Sequence, residues 1–262
     1  PDEIPQLRER LQKLAKILED TLEIDEILKL AADASEVQAA EPRISFHLEK
    51  TVRIGVAEDE AFCFYYKDNF RLLKSMGAEL VTFSPMRDEH LPENLKGLIL
   101  GGGYPELNAR ELEANVSMRE DIHRALNDGM PCLAECGGFM YLHDEMEAMD
   151  GNSYHMAGVI SGRAYRTQRL NRFGYVTLTQ KKEVLGMNDM GGIPAHEFHY
   201  FDSENCGDDF DAKKPASHRK WNCIHGTDTM MAGFPHLYFY GNPKVPEAFL
   251  RKCSQYGRQD AR

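Results

Sequence analysis

The chain has 262 residues, 42% of them hydrophobic and 28% charged, with 42 acidic against 31 basic side chains and a formal net charge of −11. That balance suits a folded protein with a sizeable core, and it argues against a nucleic-acid partner unless a local basic patch exists. The nearest thing to one is Arg163, Arg166, Arg169 and Arg172, four arginines within ten residues, which read either as a solvated face or as a clamp for an anionic substrate.

No window reaches the ~18 apolar residues of a membrane span. Pro1 to Arg10 is charged and lacks a signal-peptide core. The chain opens at Pro1 without Met, which fits a fragment of a longer one. Its six cysteines are widely spread and form no CxxC pair. Neither a structural zinc site nor a secreted disulfide framework is therefore indicated, and reduced thiols in a cytoplasm are expected.

Residues 1–45 predict a helical arm. Leu7, Leu11, Leu14, Ile17 and Leu18 recur at helical spacing, and Leu22, Ile24, Ile27, Leu28 and Leu30 suggest a second helix. Glu41 and Pro42 break the pattern. The period then changes, and residues 50–255 are expected to form one domain. Val52–Ala57 reads as a buried strand, and Tyr66–Met76 as a helix stopped by Gly77. Strands follow at Leu80–Phe83 and Leu98–Leu100. Ser117 with Glu120 has the spacing of a capping box, for a helix ending near Gly129. Cys132–Glu135 reads as a fourth strand and Phe139–Met146 as the start of another helix. Strand alternating with helix implies an α/β fold with a mostly parallel sheet covered by helices. After Gly151 the pattern is strand-rich: Tyr154–Ile160, Tyr175–Thr179, Ala195–Tyr200, Asn222–His225 and Leu237–Tyr240. Asp202–Lys214 reads as an acidic surface loop, and a last helix is expected near Pro246–Cys253.

The segment Cys132-Leu133-Ala134-Glu135-Cys136-Gly137-Gly138-Phe139 runs from a strand through a cysteine and two glycines into a helix. This is the grammar of a nucleophile elbow, which lifts one side chain above the sheet. A cysteine opening a helix feels the positive end of the dipole, which favours thiolate. Cys132 reads as a buried structural thiol. A thiolate attacking an amide needs oxyanion donors, and Leu98-Ile99-Leu100-Gly101-Gly102-Gly103 offers bare backbone after a strand. Gly103 and Gly137 are the expected donors, with Gly102 beside them in the substrate-binding loop; a plain tight turn is the alternative. Neither GxGxxG nor GxxxxGK[ST] occurs, so a phosphate loop is disfavoured.

A base must take the thiol proton and return it to the leaving group. His236 follows a Gly/Pro turn at the start of a late strand, a position suited to that role. His196 and His199 could be read as a metal pair, but they are not HExxH and no third ligand is evident. Residue chemistry alone does not choose among the ten histidines.

With these segments in view, the chain resembles the C-terminal glutaminase half of the cobyrinate a,c-diamide synthase family, in the cobalamin-pathway branch of class I glutamine amidotransferases. The resemblance is carried by Val52 to Ala57 with Asp59 to Tyr66, by Phe83-Ser84-Pro85, and by Leu100-Gly101-Gly102-Gly103-Tyr104-Pro105-Glu106-Leu107. Ala134 to Leu142, His196 to Tyr200 and Gly233 to Phe239 complete it. It implies a flavodoxin-like α/β fold, with Cys136 attacking the side-chain amide of L-glutamine and His236 protonating the departing ammonia. Many class I relatives carry Glu two residues after the histidine. Tyr238 stands there in this chain, so the third triad position is open.

The resemblance also implies an ATP-dependent synthetase domain or subunit as partner, which would hold ATP and Mg and activate carboxylates of a cobyrinic-acid-type macrocycle. Residues 5–33 look like the end of such a domain. No cofactor or metal is expected in this chain, and a homodimer is left open. Two other readings share the fold: a non-catalytic docking or regulatory module, and a stand-alone thiol hydrolase.

Overall fold

The computed structural model describes residues 6–38 and 44–257. Two compact units divide at Arg43/Ile44. In the first, Leu7–Thr21 and Ile24–Ala32 are helices with no buried residue. The apolar stripe read from the sequence is real, and Leu14, Ile17, Leu28 and Leu30 of it are exposed. Glu41 and Pro42 lie outside the described residues.

The second unit is built on a six-stranded sheet. Its spatial order is His225–Gly226, Met230–Gly233, Cys132–Glu135, Gly97–Leu100, Val52–Ala57, Ala78–Phe83. Five of these strands run parallel, and only His225–Gly226 is antiparallel. Numbered along the chain, the parallel strands follow the 2-1-3-4-5 order of flavodoxin-like folds, in which ligands bind beyond the carboxyl ends of the strands. Burial explains the legibility of this half. Ile54, Val56, Leu98, Ile99, Leu100 and Leu133 are covered on both faces, as near-continuous apolar runs in parallel sheets are. Helices Lys67–Ser75, Ala109–Ala114, Val116–Asn127 and Lys244–Gln255 each bury an apolar face.

Two further sheets form the rest. One has the order Phe201–Ser203, Ile160–Arg166, His143–Glu147, Ser153–His155. The other has the order Lys220–Cys223, Phe210–Lys213, Arg172–Gln180, Ile193–His199, His236–Leu237.

Several local expectations change. The helix expected over Phe139–Met146 is a single short helix, Gly137–Tyr141, followed at once by the strand His143–Glu147. The Ser117/Glu120 capping box does not form. Asn115 precedes the helix, and the Ser117 hydroxyl donates to the Asn115 side chain at 3.3 Å. The expected strand Tyr154–Ile160 is two strands, Ser153–His155 and Ile160–Arg166, with Gly158 at φ +66° between them. Asn222–His225 likewise divides, because Ile224 at φ +66° turns the chain from one sheet into another. Asp202–Lys214 is not all loop. Phe201–Ser203 and Phe210–Lys213 are strands, with Phe210 and Ala212 buried while Asp211 and Lys213 face outward. Leu237–Tyr240 shortens to His236–Leu237 and a 3-10 turn, Phe239–Gly241.

Candidate active site

Cys136 stands immediately after the central strand Cys132–Glu135, with φ 48° and ψ −104°. A non-glycine residue in that region is strained and persists only where its surroundings hold it. They do so here through three contacts. The Cys136 N–H donates to Gly233 O at 2.8 Å, and the Gly138 N–H donates to Gly101 O at 2.9 Å. A Cβ on Gly138 would stand 2.0 Å from Leu100 O, so only glycine lets this helix lie directly on the neighbouring strand. Cys132, by contrast, is fully buried, and desolvation raises its thiol pKa beyond any useful range.

The glycine loop is fixed from the other side. Asp59 accepts from the Ala61 N–H through one carboxylate oxygen, and from the Ser84 hydroxyl and Met86 N–H through the other. The loop it organises gives Cys63 and Phe64 N–H groups to Gly102 O and accepts the Tyr104 N–H at Ala61 O. A Cβ on Gly103 would meet Ala61 O at 2.1 Å. The Gly103 nitrogen lies 3.1 Å from where a Gly137 Cβ would stand, so the two glycines face each other across a narrow gap. Gly137 opens its helix, where N–H groups lack intrahelical acceptors. A Gly102 Cβ would collide with the His236 ring at 2.6 Å, so Gly102 makes room for the imidazole.

His236 is nearly buried and packs edge-on against Phe64, with ring centroids 4.9 Å apart. Its short strand pairs with Ile193–His199, placing His196 directly opposite. The two imidazoles are driven in opposite directions. Burial lowers the pKa of His236, yet hydrogen bonding to Cys136 and the negative charge of Glu135 close by overcome that and raise it to about 10. Burial also lowers the pKa of His196, and the positive charges of His236 and Lys214 add to the effect. The neighbouring charges thus favour the neutral form of His196 and the charged form of His236. The strand also bears on the possible metal pair. His196 faces the opposite side from Glu197 and His199, because positions three apart alternate faces. Among the described residues, no group of three or more His, Cys, Asp or Glu side chains could hold a metal ion.

The residue that the sequence reading missed is Glu135. Its Oε2 lies 3.6 Å from His236 Nδ1, and its Oε1 accepts the Leu237 N–H at 3.3 Å. The first distance is an ion-pair contact and longer than a good hydrogen bond, and Nδ1 has no hydrogen-bond partner among the described residues. Tyr238, considered for the third triad position, turns away. It is exposed, its hydroxyl lies 3.5 Å from Asp68 Oδ2, and its ring packs on Tyr66. A continuing strand would put Tyr238 on the face of His236, but the strand ends at Leu237 and the chain enters a 3-10 turn. The only sequence signal for Glu135 was an acidic side chain at the carboxyl end of an otherwise apolar strand.

Cys136 and His236 open into one cavity of about 490 Å3, lined also by Gly103, Glu106 and Arg166, within the size range of small-molecule sites. The four clustered arginines part company here. Arg163 lies 3.5 Å from Glu204, and Arg172 stacks over Trp221 at 5.2 Å. Arg166 lines the cavity, and its side chain has no ion pair among the described residues.

A strained cysteine on a strand-to-helix turn, a histidine held beside it and a carboxylate behind the histidine form, on a flavodoxin-like sheet, an arrangement with the parts that thiol acyl transfer requires. Comparison with known proteins makes the class specific. Residues 53–243 match the CobB/CobQ-like glutamine amidotransferase domain, and the chain belongs to that family. It is 36% identical over 259 residues to a cobyrinate a,c-diamide synthase of Caldanaerobacter subterraneus subsp. tengcongensis, covering 98% of this chain and 57% of that protein. It is 39% identical over 248 residues to a protein of the same name from Clostridium acetobutylicum, covering 92% of this chain and 54% of the other. The chain thus spans about half the length of these relatives. The structure of PurLQS from Thermotoga maritima has a TM-score of 0.53 at 16% identity, covering 78% of this chain and 98% of that one. At that identity the likeness is one of fold alone. Among the described residues, no helix is long and apolar enough to cross a membrane.

Proposed function

We propose that this domain hydrolyses L-glutamine through a thioester on Cys136 and supplies the released ammonia to an amide ligase. One observation carries the reading: Cys136, His236 and Glu135 meet beside the carboxyl end of the central parallel strand, next to the closely apposed backbones of Gly103 and Gly137.

The steps follow from the positions. The Cys136 thiolate attacks the side-chain carbonyl carbon of glutamine, and the oxygen takes up the negative charge. The Gly103 and Gly137 N–H groups stabilise that oxyanion, a contribution of roughly 3–4 kcal/mol per donor in comparable sites. The protonated His236 gives its proton to the nitrogen, ammonia leaves and the γ-glutamyl thioester remains. His236, now neutral, takes a proton from water as the water attacks the thioester. Glutamate departs and the Cys136 sulfur is returned. Glu135 holds the imidazole and favours its charged form, the role a carboxylate plays behind a catalytic histidine.

The ligase half belongs to a synthetase domain or subunit. The relatives, about twice as long, are named for amidation of cobyrinate at its a and c positions. In this proposal that partner binds ATP and Mg and activates the carboxylates of a cobyrinic-acid-type macrocycle, and this domain contributes the ammonia. Residues 5–33 would be the end of that partner domain.

The test is glutamate release from L-glutamine by the chain and by its Cys136→Ala variant, alone and with the synthetase half supplied. Release that the substitution abolishes is the expected result. Equal release by both proteins, or none with the synthetase half present, would contradict the proposal and favour a docking module.

A further inference from the structure

Asn69 does not line the cavity that holds Cys136, yet its side chain grips the segment that carries His236. The strand His236–Leu237 is the edge of its five-stranded sheet, so it pairs with Ile193–His199 on one side and has no strand on the other. The outward N–H and C=O groups of such an edge need partners when they are buried. Two side chains meet them. Glu135 Oε1 accepts the Leu237 N–H at 3.3 Å. Asn69 Nδ2 donates to Leu237 O at 2.7 Å, and Asn69 Oδ1 accepts the Phe239 N–H at 2.9 Å. The Asn69 amide thus does what the peptide group of a further strand would do, matching one carbonyl and the N–H two residues on. Asn69 is buried, and it comes from the first turn of the helix Lys67–Ser75, 168 residues before Leu237. The stretch leading into that helix also holds the glycine loop. Cys63 and Phe64 give N–H groups to Gly102 O, and the Tyr65 hydroxyl accepts the Gly101 N–H at 3.0 Å.

We infer that Asn69 is a positioning residue: by closing the open edge of the His236–Leu237 strand, it fixes the backbone from which His236 reaches Cys136. This deepens the glutaminase reading and rests on it. The ring has little else to hold it. His236 Nδ1 has no hydrogen-bond partner among the described residues, and Glu135 Oε2 stands 3.6 Å away. Removal of the Asn69 amide leaves Leu237 O and the Phe239 N–H buried without their partners, which favours a shift of this segment toward other partners. A two-residue strand then keeps only its pairing with Ile193–His199 and the single Glu135 contact. Misplacing a reacting group by about 1 Å can cost on the order of 10²-fold in rate. Binding of the substrate is not touched directly, because Asn69 is not part of the cavity wall.

The test uses the full chain with Asn69→Ala, which removes both bonds, and with Asn69→Leu, which removes them without leaving a void. Glutaminase kcat is expected to fall about tenfold or more, while KM for L-glutamine changes by less than about twofold. The second readout is the titration of His236, followed by NMR in chains with 13C-labelled histidine, its signal assigned by its loss from His236→Asn. Cys136 and Glu135, with His196 opposite, surround that imidazole, and its pKa is about 10. Displaced from the two anions, it should titrate about one pH unit lower, or more, in both variants. A residue that only adds stability would leave kcat and the titration of the folded chain unchanged, and that result would overturn the inference. So would a rise in KM with kcat unchanged. Failure of both variants to fold would make Asn69 a determinant of the fold and would overturn it too. Absence of glutamate release by the unsubstituted chain, with the synthetase half present, would have a different meaning: the glutaminase reading would fail, while the His236 titration would still read whether Asn69 places the ring.

Discussion

The parallel sheet and the antiparallel wall opposite it contribute different kinds of atom to the cavity. From the parallel side come backbone and one strained residue. Gly103 and Gly137 bring their backbones together, and Cys136 is held at φ 48°. From the antiparallel side come side chains whose charge is set by neighbours, with His236 and His196 paired across two strands and Arg166 at the end of a third. Steric fit governs the first side, where a single added Cβ collides with backbone. Electrostatics governs the second, where the pKa values of two facing imidazoles are pushed in opposite directions. Substitutions on the two sides should accordingly fail in different ways.

The sharpest contrast is between the facing histidines. His236→Asn is expected to lower glutaminase kcat by about 10²–10⁴-fold, the usual contribution of a general acid–base. His196→Asn should cost less than about tenfold, since a neutral neighbour transfers no proton in the steps proposed. Steady-state glutamate release measures both, and comparable losses would break the distinction.

On the backbone side, Gly138→Ala places a Cβ 2.0 Å from Leu100 O and should destabilise the fold by about 3 kcal/mol or more. Gly192→Ala, on an exposed residue whose nearest neighbour is a Thr177 methyl at 3.1 Å, should stay within about 0.5 kcal/mol. Urea unfolding distinguishes the two outcomes.

Glu135→Gln keeps the shape and removes the charge. It should lower kcat/KM by roughly 10–100-fold, the worth of a charge-assisted contact. It should also narrow a stability window. The folded pKa of His236 lies near 10, above its unfolded value of 6.5. The stability this gives is fully present below the unfolded value and is lost as pH rises through the folded one. In Glu135→Gln that loss should be smaller and complete at lower pH, read from urea midpoints between pH 7 and 10. An unchanged profile would exclude Glu135 as the group holding the imidazolium. Tyr238→Phe marks the small end of the scale. It loses only an exposed hydroxyl near Asp68 and should alter activity by less than about twofold.

The same contrast explains what could be read in advance. The parallel half was legible because its strands are short apolar runs and its functional positions are glycines after strands, where backbone conformation leaves a mark on residue type. Cys136 with its two glycines and the Gly101–Gly103 loop belong to that kind of signal. The second half is harder, since its strands are short and half-polar. Phe210 and Ala212 are buried between acidic and basic neighbours, so an alternating strand resembles a loop. Glu135 escaped notice for a related reason. Its importance comes from Leu237 and His236, about a hundred residues away in sequence and brought beside it by the parallel pairing of Met230–Gly233 with Cys132–Glu135. The arginine cluster had two readings, and only the fold separates Arg166, which lines the cavity, from Arg163 and Arg172, which meet Glu204 and Trp221.

The most direct test of the central claim is to quench the protein during turnover of L-glutamine and locate the covalent intermediate by peptide mass spectrometry. The account predicts one γ-glutamyl group in thioester linkage on Cys136, absent from Cys136→Ala. An adduct on another residue, or glutamate released by Cys136→Ala at the rate of the unsubstituted chain, would contradict it.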